Sequence, residues 1–231
     1  MLSLLSPVEV DALLLSLKVA FWAVLCSFPF GVMLAWILAR LDFPGKSLLD
    51  GLLHLPLVLP PIVIGYFLLL ILGRNGFLGK ILYEYFGVSI AFTWKGAVAA
   101  SAAMAFPLLV RAVRLSLEAV DTRLELAART LGAGPWRVFF TVTLPLSIPG
   151  IIAGMVLAFA RSLGEFGATI TFVSNIPGQT QTLPLALYTM TQVPHGEAAA
   201  MRLCLIAIVI ALLALIGANW LEKRFARHFE S

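Results

Sequence analysis

Residues 203–221 lie between Arg202 and Glu222, read LCLIAIVIALLALIGANWL and contain no charged side chain. A helix needs about 20 mostly apolar residues to cross the hydrocarbon core of a bilayer. This stretch meets that requirement, and it decides the fold class. The chain is predicted to be an all-α integral membrane protein.

Composition extends this prediction from one stretch to the whole chain. The 231 residues are 61% hydrophobic and 12% charged, and the mean hydropathy is +0.99. Soluble domains carry about 25% charged residues, so this chain has too little polar surface to face water. The net charge of +4 falls mostly at the ends of apolar runs, where positive residues report membrane topology. No nucleic-acid partner is therefore predicted.

Charged residues divide the chain into apolar runs of membrane-spanning length, which predict a polytopic transmembrane helix bundle of about five spans. Prolines lie inside several runs, so the helices are expected to be locally bent and packed together. The runs lie between Lys18 and Arg40, Asp50 and Arg74, Lys95 and Arg111, Arg137 and Arg161, and Arg202 and Glu222.

The uncharged stretch 166–196 has two interpretations. Polar and turn-forming residues interrupt it between Asn175 and Gln181, which argues against a continuous span. A helical segment near residues 183–192 is expected, lying at the membrane surface or dipping into it. A full sixth span or a re-entrant helix here is the open alternative.

The distribution of positive residues predicts an outward N-terminus and an inward C-terminus, because Lys and Arg concentrate on the cytoplasmic side. In this N-out/C-in arrangement the inside count is twice the outside count. The inside residues are Arg40, Lys46, Arg111, Arg114, Arg123, Arg129, Arg137, Lys223, Arg224 and Arg227, and the outside residues are Arg74, Lys80, Lys95, Arg161 and Arg202.

The loop at 121–137 carries the clearest partner signal. Thr122 and Glu125 have capping-box spacing, which predicts the start of a short helix. Gly132 suits the position just past the helix end, where a positive φ is needed. Pro135 can open the next helix. A short helix is marginal alone, so it needs a packing partner: another subunit, or the bundle itself if this is an ordinary connector.

The loop resembles the EAA loop of ABC-importer permeases, a pattern of Glu-Ala-Ala, three residues, Gly, and a later Leu-Pro. Leu126 occupies the family's Glu position, and the nearest acid is Glu125. The resemblance implies a MetI-like permease fold in which 121–137 forms a cytoplasmic coupling helix that docks on an ATPase subunit. The implied docking residues are Glu125, Leu126, Ala127, Ala128, Gly132, Leu144 and Pro145.

Other segments are similar to the molybdate and sulfate permeases, namely 55–61, 106–111 and 159–168, and residues 169–178 resemble the molybdate branch. This implies that 1–231 is a single transmembrane permease domain in a bacterial inner membrane. It would move molybdate from periplasm to cytoplasm by alternating access. The implied partners are two copies of an ATP-binding ABC subunit, a periplasmic molybdate-binding protein, a second copy of the chain, and membrane lipid.

Ionisable residues near the spans suggest one further site. Arg161 and Glu165 are four residues apart, so on a helix they share a face at the outer end of the fourth span. They are candidates for a gate or pathway, or for a pair that stabilises the helix boundary. No metal spacing, cofactor motif, catalytic set or complete P-loop is found, so ATP hydrolysis is expected in a separate subunit.

Several alternatives remain open from the sequence. Tungstate, sulfate or thiosulfate are alternative substrates within the resemblance. An ion-coupled secondary transporter is the main rival class, although we find no clear internal repeat and no acid in the middle of a span. A channel or membrane-anchored assembly factor would leave the Ala-Ala, Gly, Leu-Pro pattern unexplained, and an enzyme would need a nucleophile and base.

Overall fold

The computed structural model describes residues 6–229, with side chains except those of 218, 219 and 221–229. Within this range all regular structure is helical, which confirms the predicted all-α class. A π-helical turn (Phe139–Thr143) joins α7 to α8. The helices are α1 (Pro7–Arg40), α2 (Lys46–Val58), α3 (Pro61–Leu72), α4 (Phe77–Phe86), α5 (Trp94–Ala119), α6 (Thr122–Thr130), α7 (Pro135–Val138), α8 (Leu144–Leu163), α9 (Gly167–Val173), α10 (Leu183–Gln192) and α11 (Glu197–Phe229).

The described residues contain four unbroken helical segments long and apolar enough to cross a membrane: α1, α5, the segment from α7 through α8, and α11. A fifth candidate is the pair α2 and α3, which is bent by 112°. Pro60 and Pro61 explain the bend, because proline removes a backbone donor and disfavours helical geometry in the residue before it. Counting the bent pair confirms about five spans, and its bend confirms the local bending expected of the proline-containing runs.

The third span is longer than its uncharged run. The sequence places it between Lys95 and Arg111, whereas α5 continues to Ala119. Its last turns carry Arg114, whose guanidinium pairs with Glu118 at 2.7 Å and with Asp50 of α2 at 3.2 Å. Arg and Glu are good helix formers, so these charges end the apolar run without ending the helix.

The largest core cluster lies where α1, α5 and α8 meet. Leu38 of α1 and Leu109, Val110 and Leu117 of α5 are fully buried there. Small residues such as Ala105 and Ala158 are buried in the same cluster, as expected where membrane helices pack closely. The bundle is therefore organised around α5, and both ends of the α6 loop attach to this core.

The stretch 166–196 forms two short helices rather than a sixth span. At 1.5 Å per residue, α9 is about 10 Å long and α10 about 15 Å, and both are shorter than the roughly 30 Å hydrocarbon core. The helical segment predicted near residues 183–192 is confirmed as α10. Its first turn is buried against α1, where Ser16 Oγ accepts a hydrogen bond from Leu183 N at 2.6 Å.

Helix ends group on two sides of the bundle. On one side, Arg40 at the end of α1 lies against the ends of α5 and α6; on the other, Glu9 of α1 pairs with Arg202 of α11 at 2.9 Å. This arrangement agrees with alternating spans, and the N-out/C-in orientation stays a prediction. The side chains of Lys223, Arg224 and Arg227, which contributed to it, lie outside the described residues.

Candidate docking site between α5 and α8

The helix α6 begins at Thr122, and its N-cap is Asp121. The Asp121 carboxylate accepts a hydrogen bond from Arg123 N at 2.8 Å, which satisfies one of the free amides of the first turn. The predicted capping box of Thr122 and Glu125 is therefore wrong. Asp121, one residue before Thr122, is the N-cap instead, and the Glu125 side chain is therefore free to make other contacts.

The end of α6 is a Schellman motif centred on Gly132. Gly132 has φ +85, its N–H donates to Arg129 O at 2.9 Å, and Ala133 N–H donates to Ala128 O at 3.1 Å. These two bonds satisfy carbonyls that the ending helix would leave free. The positive φ predicted for Gly132 is confirmed. A Cβ added there would have no described atom within 4 Å, so the glycine is required by conformation and not by space.

Large apolar side chains, of which the sequence analysis singled out only Leu126, are exposed around this turn. Leu131 is 88% exposed and Trp136 is 72% exposed, and Leu126 and Leu124 are 57% and 49% exposed. We call these four residues the apolar loop surface. Large exposed apolar groups on a polar loop are typical of surfaces that bind a partner. The sequence signal that could have indicated their exposure was their position in a polar loop, which also contains Arg123, Arg129 and Arg137.

The structure divides the predicted docking residues into two groups. Leu126, which belongs to the apolar loop surface, is exposed, as are Ala127 and Gly132 beside it, and Ala128 is half-buried. The remaining three face the bundle: Glu125, Leu144 and Pro145 are half-buried, and Leu144 packs against the α1–α5–α8 core. The second group therefore connects the loop to the membrane helices.

Glu125 is the acid that turns inward from α6. Its carboxylate accepts hydrogen bonds from Arg40 Nη2 and from Thr143 Oγ1, each at 2.7 Å. Arg40 and Thr143 were not predicted as site residues, because they lie 85 and 18 positions away in the chain. The one available signal was the displacement of the acid by one position from the family pattern, which moves it to another face of the helix.

The second predicted site, Arg161 and Glu165, forms an ion pair at 2.7 Å. The Glu165 side chain is 1% exposed, and its second oxygen accepts a hydrogen bond from Ala168 N at 2.8 Å, in the first turn of α9. Both carboxylate oxygens are thus engaged. The pair fixes the connection between α8 and α9. If the two residues contribute to a gate, they would do so by setting the position of α9.

The helix α9 in turn packs closely on α3, just beyond the bend at Pro60. A Cβ on Gly65 would lie 2.6 Å from Ala168 O, and a Cβ on Gly167 would lie 2.8 Å from Pro61 Cβ. Because real side chains do not tolerate such distances, both glycines are needed for this crossing. Among the residues whose side chains the structure describes, no group of three His, Cys, Asp or Glu is arranged to hold a metal ion.

The sequence of this chain matches a known transport family along most of its length. Residues 27–227 match the family model of the binding-protein-dependent transport system inner membrane component. The molybdenum transport system permease protein ModB of Escherichia coli K12 is 63% identical over 95% of this chain and 96% of that protein. Haemophilus influenzae ModB is 61% identical over 95% and 96%. The E. coli sulfate transport system permease protein CysT is 39% identical over 96% and 79%.

Solved structures agree at the level of the fold. A MetNI methionine ABC transporter structure has a TM-score of 0.75 at 15% identity, covering 96% of this chain and 99% of that one. A bacterial alginate ABC transporter has a TM-score of 0.75 at 16% identity, covering 95% and 80%. The chain therefore belongs to the family of binding-protein-dependent transport system inner membrane components and is a multi-pass protein of the inner membrane.

Proposed function

We propose that this chain is the membrane-spanning permease subunit of an ATP-driven importer of molybdate. The observation that carries the proposal is its 63% identity, along 95% of its length, to a protein named for molybdenum transport. A sulfate permease is the second candidate, but the relative so named is 39% identical and the chain covers 79% of its length. The substrate proposed is therefore molybdate, with tungstate as a close chemical analogue.

The apolar loop surface supports docking of an ATP-binding subunit at α6. A subunit seated there would bury Leu126, Leu131 and Trp136, each of which is more than half exposed in the single chain. Burial of such groups is the main favourable term in most protein associations. In this proposal Leu126, Ala127, Ala128 and Gly132 contact the partner, whereas Leu144 and Pro145 anchor the loop in the bundle.

A second copy of the chain would complete the transport path. Helices α2 and α3, all of whose residues are described, are largely uncovered in the single chain. No residue of α2 is buried, and Gly65 is the buried residue of α3. Leu48, Leu52 and Val58 of α2 are 69%, 55% and 82% exposed. A symmetric pair would enclose a path at its two-fold axis, with one ATP-binding subunit on each copy. A periplasmic oxyanion-binding protein would deliver substrate to the opposite side.

In this arrangement closure of the two ATP-binding subunits moves the α6 loops, and the loops reorient the membrane helices. The path then opens alternately outward and inward. On the outer side, Arg161 and Glu165 would hold α9 against α3 and thereby set the position of an outer gate.

Uptake of labelled molybdate tests the proposal in cells that lack their own molybdate permease and express this chain with its ATP-binding and binding-protein partners. We expect uptake that excess unlabelled molybdate or tungstate suppresses and excess sulfate leaves unchanged. Competition by sulfate at an equal excess would favour the sulfate permease. Absence of uptake, with the assembled complex present in the membrane, would reject the function.

A further inference from the structure

Glu125 has an environment unlike that of the rest of α6. The helix, all of which is described, has no fully buried residue, yet the Glu125 side chain is only 12% exposed. One of its oxygens, Oε1, accepts both the Arg40 guanidinium hydrogen bond and the Thr143 hydroxyl hydrogen bond. A hydrogen bond in which the donor or the acceptor is charged is about twice as strong as a neutral one. This acid is therefore a firm attachment for an otherwise superficial helix.

The two donors come from different membrane helices. Arg40 is the last residue of α1, and the same Nη2 also donates to Leu117 O near the end of α5, at 3.0 Å. Thr143 is the last residue of the π-helical turn that leads into α8. A π-helical turn inside a longer helix often marks a functional position. One carboxylate thus contacts α1 and α8 directly, and contacts α5 through Arg40.

The hydrogen bonds continue from Thr143 into the bundle. Ser147 Oγ donates to Thr143 O at 2.7 Å, and Ser116 Oγ of α5 donates to Ser147 O at 3.0 Å. Thr143 and Ser147 are both buried. The attachment of Glu125 to α8 is therefore linked to the packing of α8 on α5, and a shift of α6 cannot be absorbed in the first turn of α8 alone.

Arg40 depends on Glu125 for its neutralisation. Its side chain is 17% exposed, and among the described residues its Nε atom is buried without a hydrogen-bond partner. A partly buried guanidinium that loses its carboxylate keeps its charge and is left unpaired. Removal of the Glu125 charge should therefore loosen the ends of α1 and α5 as well as α6.

We propose that Glu125 is a positioning residue that couples the motion of α6 to α1, α5 and α8 together, instead of a contact to the ATP-binding subunit. The proposal rests on the function proposed above, since it assigns a role within ATP-driven transport. Motion of the loop is transmitted through the Arg40–Glu125–Thr143 cluster. Without the cluster, ATP hydrolysis continues but moves the helices less effectively.

The test compares Glu125→Gln with wild type in the purified complex of permease and ATP-binding subunits, reconstituted in lipid with the loaded binding protein. Glutamine keeps an acceptor for Thr143 but removes the charge that faces Arg40. We expect normal co-purification of the ATP-binding subunit, near-normal ATP hydrolysis, and molybdate transported per ATP lowered by about tenfold. A tenfold factor corresponds to about 1.4 kcal/mol, close to the lower end of the range for a hydrogen bond to a charged group.

Two further variants sharpen the test. Arg40→Gln should lower the ratio similarly, and the double variant should be no worse than either single one, because the two side chains act as a unit. The matched control is Asp42→Asn, since Asp42 also pairs with a basic residue, Lys46 at 2.9 Å, but is 99% exposed. Asp42→Asn should transport like wild type.

Each outcome bears on the proposal. An unchanged ratio of transport to hydrolysis in Glu125→Gln overturns it, and so does loss of the ATP-binding subunit from the complex, which would make Glu125 a docking contact. If Glu125→Gln fails to fold, Thr143→Val removes the second hydrogen bond, and an unchanged ratio there overturns the proposal equally. Failure of the wild-type complex to transport molybdate would instead reject the proposed function.

Discussion

Replacement of Gly132 should weaken docking without damaging the membrane bundle. The residue closes α6 with φ +85, a conformation in which an added Cβ costs roughly 1–2 kcal/mol. Because no described atom lies within 4 Å of that Cβ position, no steric overlap with this chain adds to the penalty. The whole effect is therefore conformational and confined to the turn that presents the apolar loop surface.

The size of the effect should follow the left-handed preference of the substituent. A β-branched residue is the least suited to positive φ, and asparagine adopts it more readily than other non-glycine residues. A penalty of 1–2 kcal/mol corresponds to a factor of about 5–30 in an equilibrium constant. Gly132→Val should therefore weaken binding of the ATP-binding subunit by up to about 30-fold, and Gly132→Asn by less.

The assay measures permease in the membrane, affinity for the ATP-binding subunit, and molybdate uptake for each variant. Gly134→Ala is the matched control, because Gly134 has φ −69 and ψ 164, which any residue adopts, and open space at its Cβ position. It should behave like wild type. Wild-type affinity and uptake in Gly132→Val would refute the assignment of the turn to docking. Loss of that variant from the membrane would instead show that Gly132 is needed for folding.

Three further predictions concern the rest of the bundle. A cysteine at Ser231, which lies outside the described residues, should resist an impermeant thiol reagent in intact cells, and labelling would reverse the N-out/C-in topology. Arg161→Gln and Glu165→Gln should each lower uptake while the ATP-binding subunit still co-purifies, because the charge pair at 2.7 Å orients α9; wild-type uptake in both would leave them as boundary residues. Gly65→Val should destabilise the purified protein by about 1–3 kcal/mol through the α3–α9 crossing, measured as a lower thermal midpoint. Gly51→Ala in α2, whose Cβ position is open, should leave the midpoint unchanged, and equal midpoints for the two variants would contradict the close α3–α9 contact at Gly65.

The features that the sequence predicted correctly depend on local pattern. Apolar run length identified the spans, and the loop residues identified the end of α6 at Gly132 and the start of α7 at Pro135. The helix at residues 183–192 was expected after the polar and turn-forming residues that interrupt the stretch between Asn175 and Gln181. These features can be predicted from a single sequence because each depends on residues that are close together in the chain.

The features that were missed depend on contacts between distant residues. Local bending of the proline-containing runs was expected and occurs at Pro60 and Pro61, but neither its 112° size nor the pairing of Arg114 with Glu118 and Asp50 could be predicted from neighbouring residues alone. The inward direction of Glu125 depends on Arg40, 85 positions away. Its spacing with Thr122 favoured a local capping role, and the tertiary ion pair replaced that role.

The most direct test of the account is ATP-dependent molybdate uptake into vesicles that contain the purified permease and its ATP-binding subunit, with the loaded binding protein supplied at the outer face. We predict that uptake requires ATP on the α6 side and stops when the ATP-binding subunit, the binding protein or ATP is omitted. Uptake by the permease alone, driven by a proton or sodium gradient and indifferent to ATP, would contradict the account.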